Sequence, residues 1–421
     1  MRPYNQSLIN FQLFISYYFP LLPTISYYFP PIPLTMYPNI DRLDTLTFWW
    51  LKNGVMTLKK ILKKLGNPQD SFKIFHVAWT NGKWSTCQMI SQVLRKQFWL
   101  KVGLTISPHL IKLNERIQIN WVMISNEDLD YYLSQTFALT LQHNCTLSFF
   151  EHMILVALLY FRDQKVDYAV IEVGLWWKYD ATNVFSSPEA TIITTISDDH
   201  RSILWPTLTQ IFWNKFGICK KNVPCFTRLD TALVHRAAKM KKVPLQVVKK
   251  HSLTNLPGTH QQENAWVVLH CLSTLWFGKT LITEWLMQIN HPGRCQRIRN
   301  NVLVDGAHNE EWIDAFVAYV KTKTVWYKKV VTVFWSTKKR EEYPRFFSHL
   351  IPGDINYLVT PSIENRAIPP SNYQFHLTFD AIDAWTRQEL SEHLDMTDRE
   401  TLFIVYGSLY LVWEVIGWFE D

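Results

Sequence analysis

The sequence predicts an α/β protein of two units, each built on a mainly parallel sheet, and three observations predict it. Short apolar runs of strand length recur along the chain with helical spacing between most of them, which is the rhythm of βα repeats. At 421 residues the chain is too long for one ordinary core. A polar turn rich in Thr, Asn, Gly and Lys follows the first strand-like run directly, and the ends of strands are where α/β sheets gather ligand-binding groups.

Residues 1–35 read differently from the rest. They are rich in Tyr, Phe and Pro, and Ile-Ser-Tyr-Tyr-Phe-Pro occurs at both 15–20 and 25–30. The segment has no continuous apolar core with a small-residue cleavage site, so it does not read as a signal peptide. Its prolines break any helix that could span a membrane. The expectation is a non-native or disordered extension translated from upstream sequence, with Met36 as the true start.

From 43 to 65 the spacing of Leu, Ile, Val and Trp predicts helices, ended by Gly66-Asn67-Pro68. A buried strand is predicted at 72–78 and a helix at 85–96. Further strands are predicted at 167–173, 190–196, 301–304, 329–334, 356–359 and 402–405. The turn His291-Pro292-Gly293 is the predicted boundary, dividing the chain into units 36–290 and 291–421.

Composition narrows the function. Hydrophobic residues at 48% and charged residues at 19% fit a globular chain rather than a disordered one. The net charge of +7 comes from scattered Lys and Arg, which suits a site for small polyanions better than nucleic acid. The six cysteines show no C-x-x-C spacing, so reduced thiols and a cytoplasmic location are expected. No apolar run of transmembrane length is free of prolines and charges, so no membrane partner is expected. One figure is abnormal: 13 glycines stand beside 19 tryptophans, where about thirty glycines would be usual.

The first chemical motif is His76-Val77-Ala78-Trp79-Thr80-Asn81-Gly82-Lys83-Trp84-Ser85-Thr86, placed between a strand and a helix. A phosphate-binding loop needs that placement, because backbone N–H groups and the helix dipole then point at the phosphates. Lys83 would sit on the β/γ-phosphates, and Ser85 or Thr86 would hold Mg²⁺. Trp79 and Trp84 occupy places where such a loop needs glycine, and on the motif alone a plain polar turn would be preferred.

The surrounding segments decide the reading. Ser107-Pro108-His109-Leu110, Asn114-Glu115-Arg116-Ile117 and Phe150-Glu151 come first. Glu172-Val173-Gly174 through Asp180-Ala181-Thr182-Asn183, Asp199-His200 and Lys215-Phe216-Gly217-Ile218 follow. The rest are His260-Gln261 with Asn264, Pro292-Gly293-Arg294, Asp305-Gly306-Ala307-His308-Asn309 and Gly407-Ser408-Leu409-Tyr410. In order and spacing, from about Leu43 to the end, the chain resembles the folylpolyglutamate synthase/dihydrofolate synthase family of the Mur ligase superfamily. The resemblance implies a P-loop parallel-sheet ATP-binding domain and a smaller Rossmann-like C-terminal domain. It implies ADP-forming ligation of L-glutamate to a folate or dihydropteroate carboxylate through an acyl phosphate. A cell-wall Mur ligase is the rival enzyme, against which the Ser-Pro-His-Leu and Asn-Glu-Arg-Ile segments stand.

The same resemblance assigns the site. Thr80, Asn81, Gly82, Lys83, Ser85, Thr86, Asn264, Arg294, Asp305 and His308 fall on nucleotide contacts. Ser85, Ser107, Glu172, His200 and Lys215 fall on metal positions, implying Mg²⁺ at two sites with a monovalent cation as an option. Lys83, His200, Lys215 and Arg294 fall on catalytic positions. Lys215 matches a lysine that many of these ligases carry as a carbamate, although its neighbours Asn214 and Phe216 depart from the family pattern. Alone, Glu172 would read as a solvated strand end, His200 as a structural hydrogen bonder and Asp305-Gly306 as an ordinary turn. A monomer is expected.

The departures share one form. Trp79, Trp84, Trp121, Trp176, Trp177, Trp205, Trp335 and Trp413, together with Trp213, stand where the family has glycine. Decay would scatter substitutes over many residue types. A single cause is a UGA codon that some bacterial lineages read as glycine and a common alternative table reads as tryptophan. Reading all the tryptophans so brings glycine to the roughly 7% of an ordinary protein. The alternative is a pseudoenzyme or binding protein that has lost its phosphate loop.

Overall fold

The computed structural model describes residues 36–46, 54–78, 82–109, 112–174, 178–194, 212–213, 216–249, 254–275, 278–289, 291–299, 301–336, 347–359, 369–372, 374, 377, 380–383 and 400–419. The expectations for residues 1–35 lie outside them.

The strands are β1 Lys73–Ala78, β2 Val102–Thr105, β3 Ile117–Ile119, β4 Val122–Met123, β5 Tyr168–Glu172, β6 Ala190–Ile193, β7 Cys225–Thr227 and β8 Leu245–Val247, then β9 Gln296–Arg299, β10 Val302–Asp305, β11 Lys329–Phe334, β12 Ile355–Leu358, β13 Ile382–Asp383 and β14 Thr401–Tyr406. The first eight form one sheet in the order β4-β3-β2-β5-β1-β6-β7-β8, and the last six form a second in the order β13-β12-β11-β14-β10-β9. Pairing is parallel from β2 to β8 in the first sheet, with β3 and β4 antiparallel at its edge. The second is parallel except where β9 meets β10.

The described helices are α1 Pro38–Asp44, α2 Gly54–Lys64, α3 Lys83–Phe98, α4 Asn126–Gln142, α5 Phe149–Asp163, α6 Ala232–Lys241, α7 Thr259–Thr274, α8 Lys279–Leu286, α9 Glu310–Thr324 and α10 Leu409–Gly417. Local chemistry starts several of them. Ser148 Oγ accepts from Glu151 N while Glu151 Oε2 accepts from Ser148 N at 2.8 Å, a reciprocal cap that opens α5. Ser125 and Asn309 cap α4 and α9 by accepting from backbone N–H groups three residues on.

Two apolar layers enclose the first sheet. Leu58, Ile61 and Leu62 of α2 join Leu129 and Leu133 of α4 and much of α5 in one core. Ile90, Val93 and Leu94 of α3 join Val267 and Val268 of α7 and Ile282 of α8 in another, against Phe75 and Val77 of β1. The second sheet has its own core, including Val304, Phe316, Val333, Ile404 and Val415. β1 thus lies between parallel neighbours and beneath helices on both faces, which explains its near-continuous apolar run.

Most long strands fall where periodicity places them. The short ones, β2, β3, β4, β7, β8, β9 and β13, were not foreseen; β8 and β9 carry Gln and Arg and do not read as apolar runs. The strand expected at 190–196 ends at Ile193, and α3 begins at Lys83 rather than Ser85, because Gly82 takes a left-handed conformation (φ 83°) and turns the chain straight into the helix.

Among the described residues two tryptophans hold left-handed backbone conformations. Trp99 closes α3 with φ 53°, the place where helices usually take glycine. Trp121 (φ 73°) follows Asn120 (φ 50°) in the two-residue turn joining β3 to β4, where Asn-Gly is the favoured pair. Trp335 and Trp413 have no such conformation, and Trp413 lies within α10. The side chain of Trp99 is 94% exposed and contributes little packing. Trp99→Gly is therefore expected to stabilise the protein by about 1 kcal/mol through relief of left-handed strain, measured as a higher denaturant midpoint at unchanged slope.

Candidate functional site

The C-terminal ends of β2, β5 and β1 lie side by side, and the site grows from them. Glu172 ends β5 level with Val77 of β1, just ahead of the loop that leads into α3. Ser107 follows β2, and its backbone N–H donates to Glu172 Oε2 at 2.9 Å. Sequence-predicted Ser107, Glu172, Gly82, Lys83, Ser85 and Thr86 are therefore brought together. This is the crevice outside the strand ends where open α/β sheets bind ligands.

Glu172 is buried, and burial pushes its carboxyl up to about 7; Lys83, the Ser107 amide, Arg294 and Arg116 pull the other way. Such a carboxylate lacks enough positive charge around it, which a bound cation would supply. Ser85 and Thr86 are buried on the first turn of α3, and Thr86 Oγ1 has no hydrogen-bond partner among the described residues. Hydroxyl oxygens and one carboxylate suit Mg²⁺, which takes few protein ligands and completes its shell with phosphate and water. The residues present fit that ion. Among the described residues no group of three or more His, Cys, Asp and Glu forms a metal cluster.

Asn264 of α7 lies over the loop. The positive φ at Gly82 favours glycine, and a Cβ there would fall 2.8 Å from Asn264 Nδ2 and push that amide aside. Asn264 also reaches Gln261 Oε1 at 3.4 Å, and Gln261 Nε2 donates to Ser85 Oγ at 3.1 Å.

The segment after residue 290 closes the crevice. His291 Nε2 lies 2.9 Å from Ser85 Oγ. Arg294 is buried, and burial brings its guanidinium down to about 10, against the pull of Asp305. Asp305 at the end of β10 fixes this turn, accepting from Cys295 N and Ala307 N at 2.7 Å each. His308 Nδ1 donates to Gly306 O at 2.8 Å. Arg294, Asp305 and His308 are thus one group beside the loop.

Indoles fill the middle of that group. The Arg294 guanidinium stacks 3.4 Å from the ring centroid of Trp312 and lies 5.1 Å from that of Trp84. Among the described residues its Nη1 and the Trp84 Nε1 are buried without hydrogen-bond partners, as are Nε1 of Trp121 and Trp413. Buried indole N–H groups usually find an acceptor. Thr80, Asn81, His200 and Lys215 lie outside the described residues, as do Trp79, Trp176, Trp177 and Trp205. Sequence reasoning missed the parts played by Gln261, His291 and Trp312. The only signal for His291 was its place just before Pro-Gly-Arg.

A glycine that turns the chain into a helix beyond a central parallel strand, with lysine, hydroxyls and a buried carboxylate beside it, defines a P-loop nucleotide-binding protein of two α/β sheets. No family model matches the chain. It is 30% identical over 345 residues to the dihydrofolate synthase/folylpolyglutamate synthase of Bacillus subtilis, covering 71% of this chain and 79% of that protein. It is 27% identical over 395 residues to the folylpolyglutamate synthase of Lacticaseibacillus casei, covering 83% and 91%. The solved folylpolyglutamate synthase of Thermotoga maritima superposes with a TM-score of 0.74 at 27% identity, covering 91% of this chain and 96% of that one. The bifunctional enzyme of Yersinia pestis, solved with AMPPNP and a manganese ion, superposes at 0.78 with 23% identity, covering 91% and 97%. The chain belongs to the folylpolyglutamate synthase/dihydrofolate synthase family.

A pH dependence follows from Glu172. Its pKa is raised in the folded state, so its contribution to the stability of the metal-free protein is fully present below the ordinary carboxyl value of 4.5 and is lost as pH rises towards 7. The loss from this group amounts to about 3 kcal/mol. Denaturant midpoints across that interval are expected to fall less in Glu172→Gln, and added Mg²⁺ is expected to restore the unsubstituted protein at the upper end.

Proposed function

We propose that the crevice between β5, β1 and the turn at 291–294 is where this ligase joins L-glutamate to the carboxylate of a folate or dihydropteroate at the expense of ATP. The observation that carries the reading is the convergence of Lys83, Ser85, Thr86, Glu172 and Arg294 from three separate parts of the chain. The family supplies the reaction: an ADP-forming acid–amino-acid ligase that uses ATP and a divalent metal ion.

The residues divide the work physically. Mg²⁺, held by Ser85, Thr86 and Glu172, would neutralise phosphate charge. Lys83 at the head of α3 places an ammonium beside the helix N-terminus, where phosphate oxygens are favoured. Arg294 suits phosphate oxygens through its planar fork of donors. Asn264 and His308 border the nucleotide, and Asp305 holds the Arg294 turn. Thr80, Asn81, His200 and Lys215 retain the roles that the resemblance gives them. Closure of the second unit (291–421) on the first (36–290) would keep water from the acyl phosphate. A cytoplasmic monomer with small-molecule substrates and no nucleic-acid partner completes the proposal. All six cysteines are free, which agrees with reduced thiols. Among the described residues no helix is long and apolar enough to cross a membrane.

The proposal includes glycine at 79, 84, 121, 176, 177, 205, 213, 335 and 413 in the native protein. Left-handed backbone at Trp121, and the unpaired indoles of Trp84, Trp121 and Trp413, support it; Trp99 joins the set by its φ. Peptide mass spectrometry of the native protein across 77–86 and 173–183 tests the assignment. Glycine is the expected result, and tryptophan would mean a chain that has lost its phosphate loop and binds rather than ligates. In a recombinant of the sequence as written, Trp79→Gly with Trp84→Gly is expected to raise glutamate ligation on the order of a hundredfold or more. Competition between folate and UDP-muramyl substrates separates the folate ligase from a cell-wall ligase.

A further inference from the structure

We infer that His291 is a positioning residue for the metal ligand Ser85, a role that rests on the ATP–Mg²⁺ reading of the loop. The case lies in the hydrogen bonds around one hydroxyl. Ser85 Oγ is buried and meets two side chains, Gln261 Nε2 at 3.1 Å and His291 Nε2 at 2.9 Å. Asn264 Nδ2 reaches the oxygen of the Gln261 amide, so the amide nitrogen faces Ser85 and donates to it. A serine hydroxyl has one hydrogen and two lone pairs. Gln261 occupies one lone pair. With the imidazole hydrogen on Nδ1, the tautomer this role requires, His291 Nε2 accepts the serine hydrogen and the second lone pair is left for a cation.

Without His291 the O–H bond could rotate into the direction from which the metal must approach. With it, the hydroxyl offers the metal an oxygen whose hydrogen is already committed elsewhere. Partners that orient a ligand in this way affect metal affinity without touching the metal. His291 also opens the turn that carries Arg294. One short turn therefore supplies both the guanidinium for phosphate and the acceptor that orients a metal ligand. Phosphate contact and metal orientation would form together when this turn is seated. The imidazole also packs edge-on against Trp84 at 5.1 Å between centroids; glycine at 84 would remove that contact but not the hydrogen bond to Ser85.

The test uses the full chain with Trp79→Gly and Trp84→Gly as parent, and compares His291→Leu, His291→Asn and His291→Gln. Mn²⁺ affinity is read by electron paramagnetic resonance with a non-hydrolysable ATP analogue present, and nucleotide affinity is read separately in EDTA. His291→Leu is expected to weaken Mn²⁺ binding about tenfold or more, with nucleotide affinity in EDTA within about twofold of the parent. Glutamine, long enough to present an acceptor near the Nε2 position, is expected to recover most of the loss. Asparagine, too short to reach Ser85 yet polar, is expected to match leucine and provides the comparison if the leucine variant does not fold. Parental Mn²⁺ affinity in the asparagine and leucine variants would overturn the inference, as would an equal loss with and without metal. A parent that binds no nucleotide in either condition would overturn the reading of the loop itself, and this inference with it.

Discussion

A carboxylate buried at the end of a central strand must be compensated, and in this protein the compensation connects the two sheets. Glu172 cannot carry its charge comfortably with burial as the dominant influence on it. The groups that oppose burial come from different places: Lys83 from the start of α3, Arg116 from beside β3, and Arg294 from the turn leading into the second sheet. Each is far from the others in sequence. Arg294 has a matching difficulty, since it is buried itself and depends on Asp305 and Glu172 for opposing charge. The structure therefore keeps an arginine and a glutamate, from different halves of the chain, in an electrostatic relation that neither half could provide alone.

That relation explains why the site is built as it is. Glu172 and the phosphate loop are level because β1 and β5 are parallel neighbours, so their C-terminal ends face the same way. α7 contributes Gln261 and Asn264 above the loop, and the residues after 290 close it from the other side. The two sheets have separate cores, and the Ser85–His291 hydrogen bond and the Arg294–Trp84 contact join the two parts at this crevice. A ligase that must hold a reactive acyl phosphate away from water benefits from a site completed by two bodies rather than one.

Much of this was legible in the sequence. The long strands β1, β5, β11 and β14 are mainly apolar and stand out by composition, and the Thr-Asn-Gly-Lys turn lies where a strand gives way to a helix. Glu172, Ser107 and Arg294 were legible only through ordered resemblance, because a single Glu or Arg carries no periodic signal. His291 was not legible, since its role depends on the distance between two residues 206 positions apart. The short strands were missed because two to four residues are too few to show an alternation that differs from a loop. The tryptophans are the converse case. Their abundance was visible at once, but the structure distinguishes them by backbone: Trp99 and Trp121 lie where the chain turns left-handed, and Trp413 sits in an ordinary helix.

The turn at Asn120–Trp121 has a further consequence, for how safely the chain folds. β3 and β4 form the antiparallel margin of the first sheet, and β3 covers the open side of β2. Val122 is 71% exposed on the outermost strand. If a bulky residue slows closure of that hairpin, β2 waits with an unpaired row of N–H and C=O groups flanked by apolar side chains. Such an edge recruits strands from other molecules. The residue at 121 thus bears on whether newly made chains remain separate long enough to fold, in a part of the sheet remote from any chemistry.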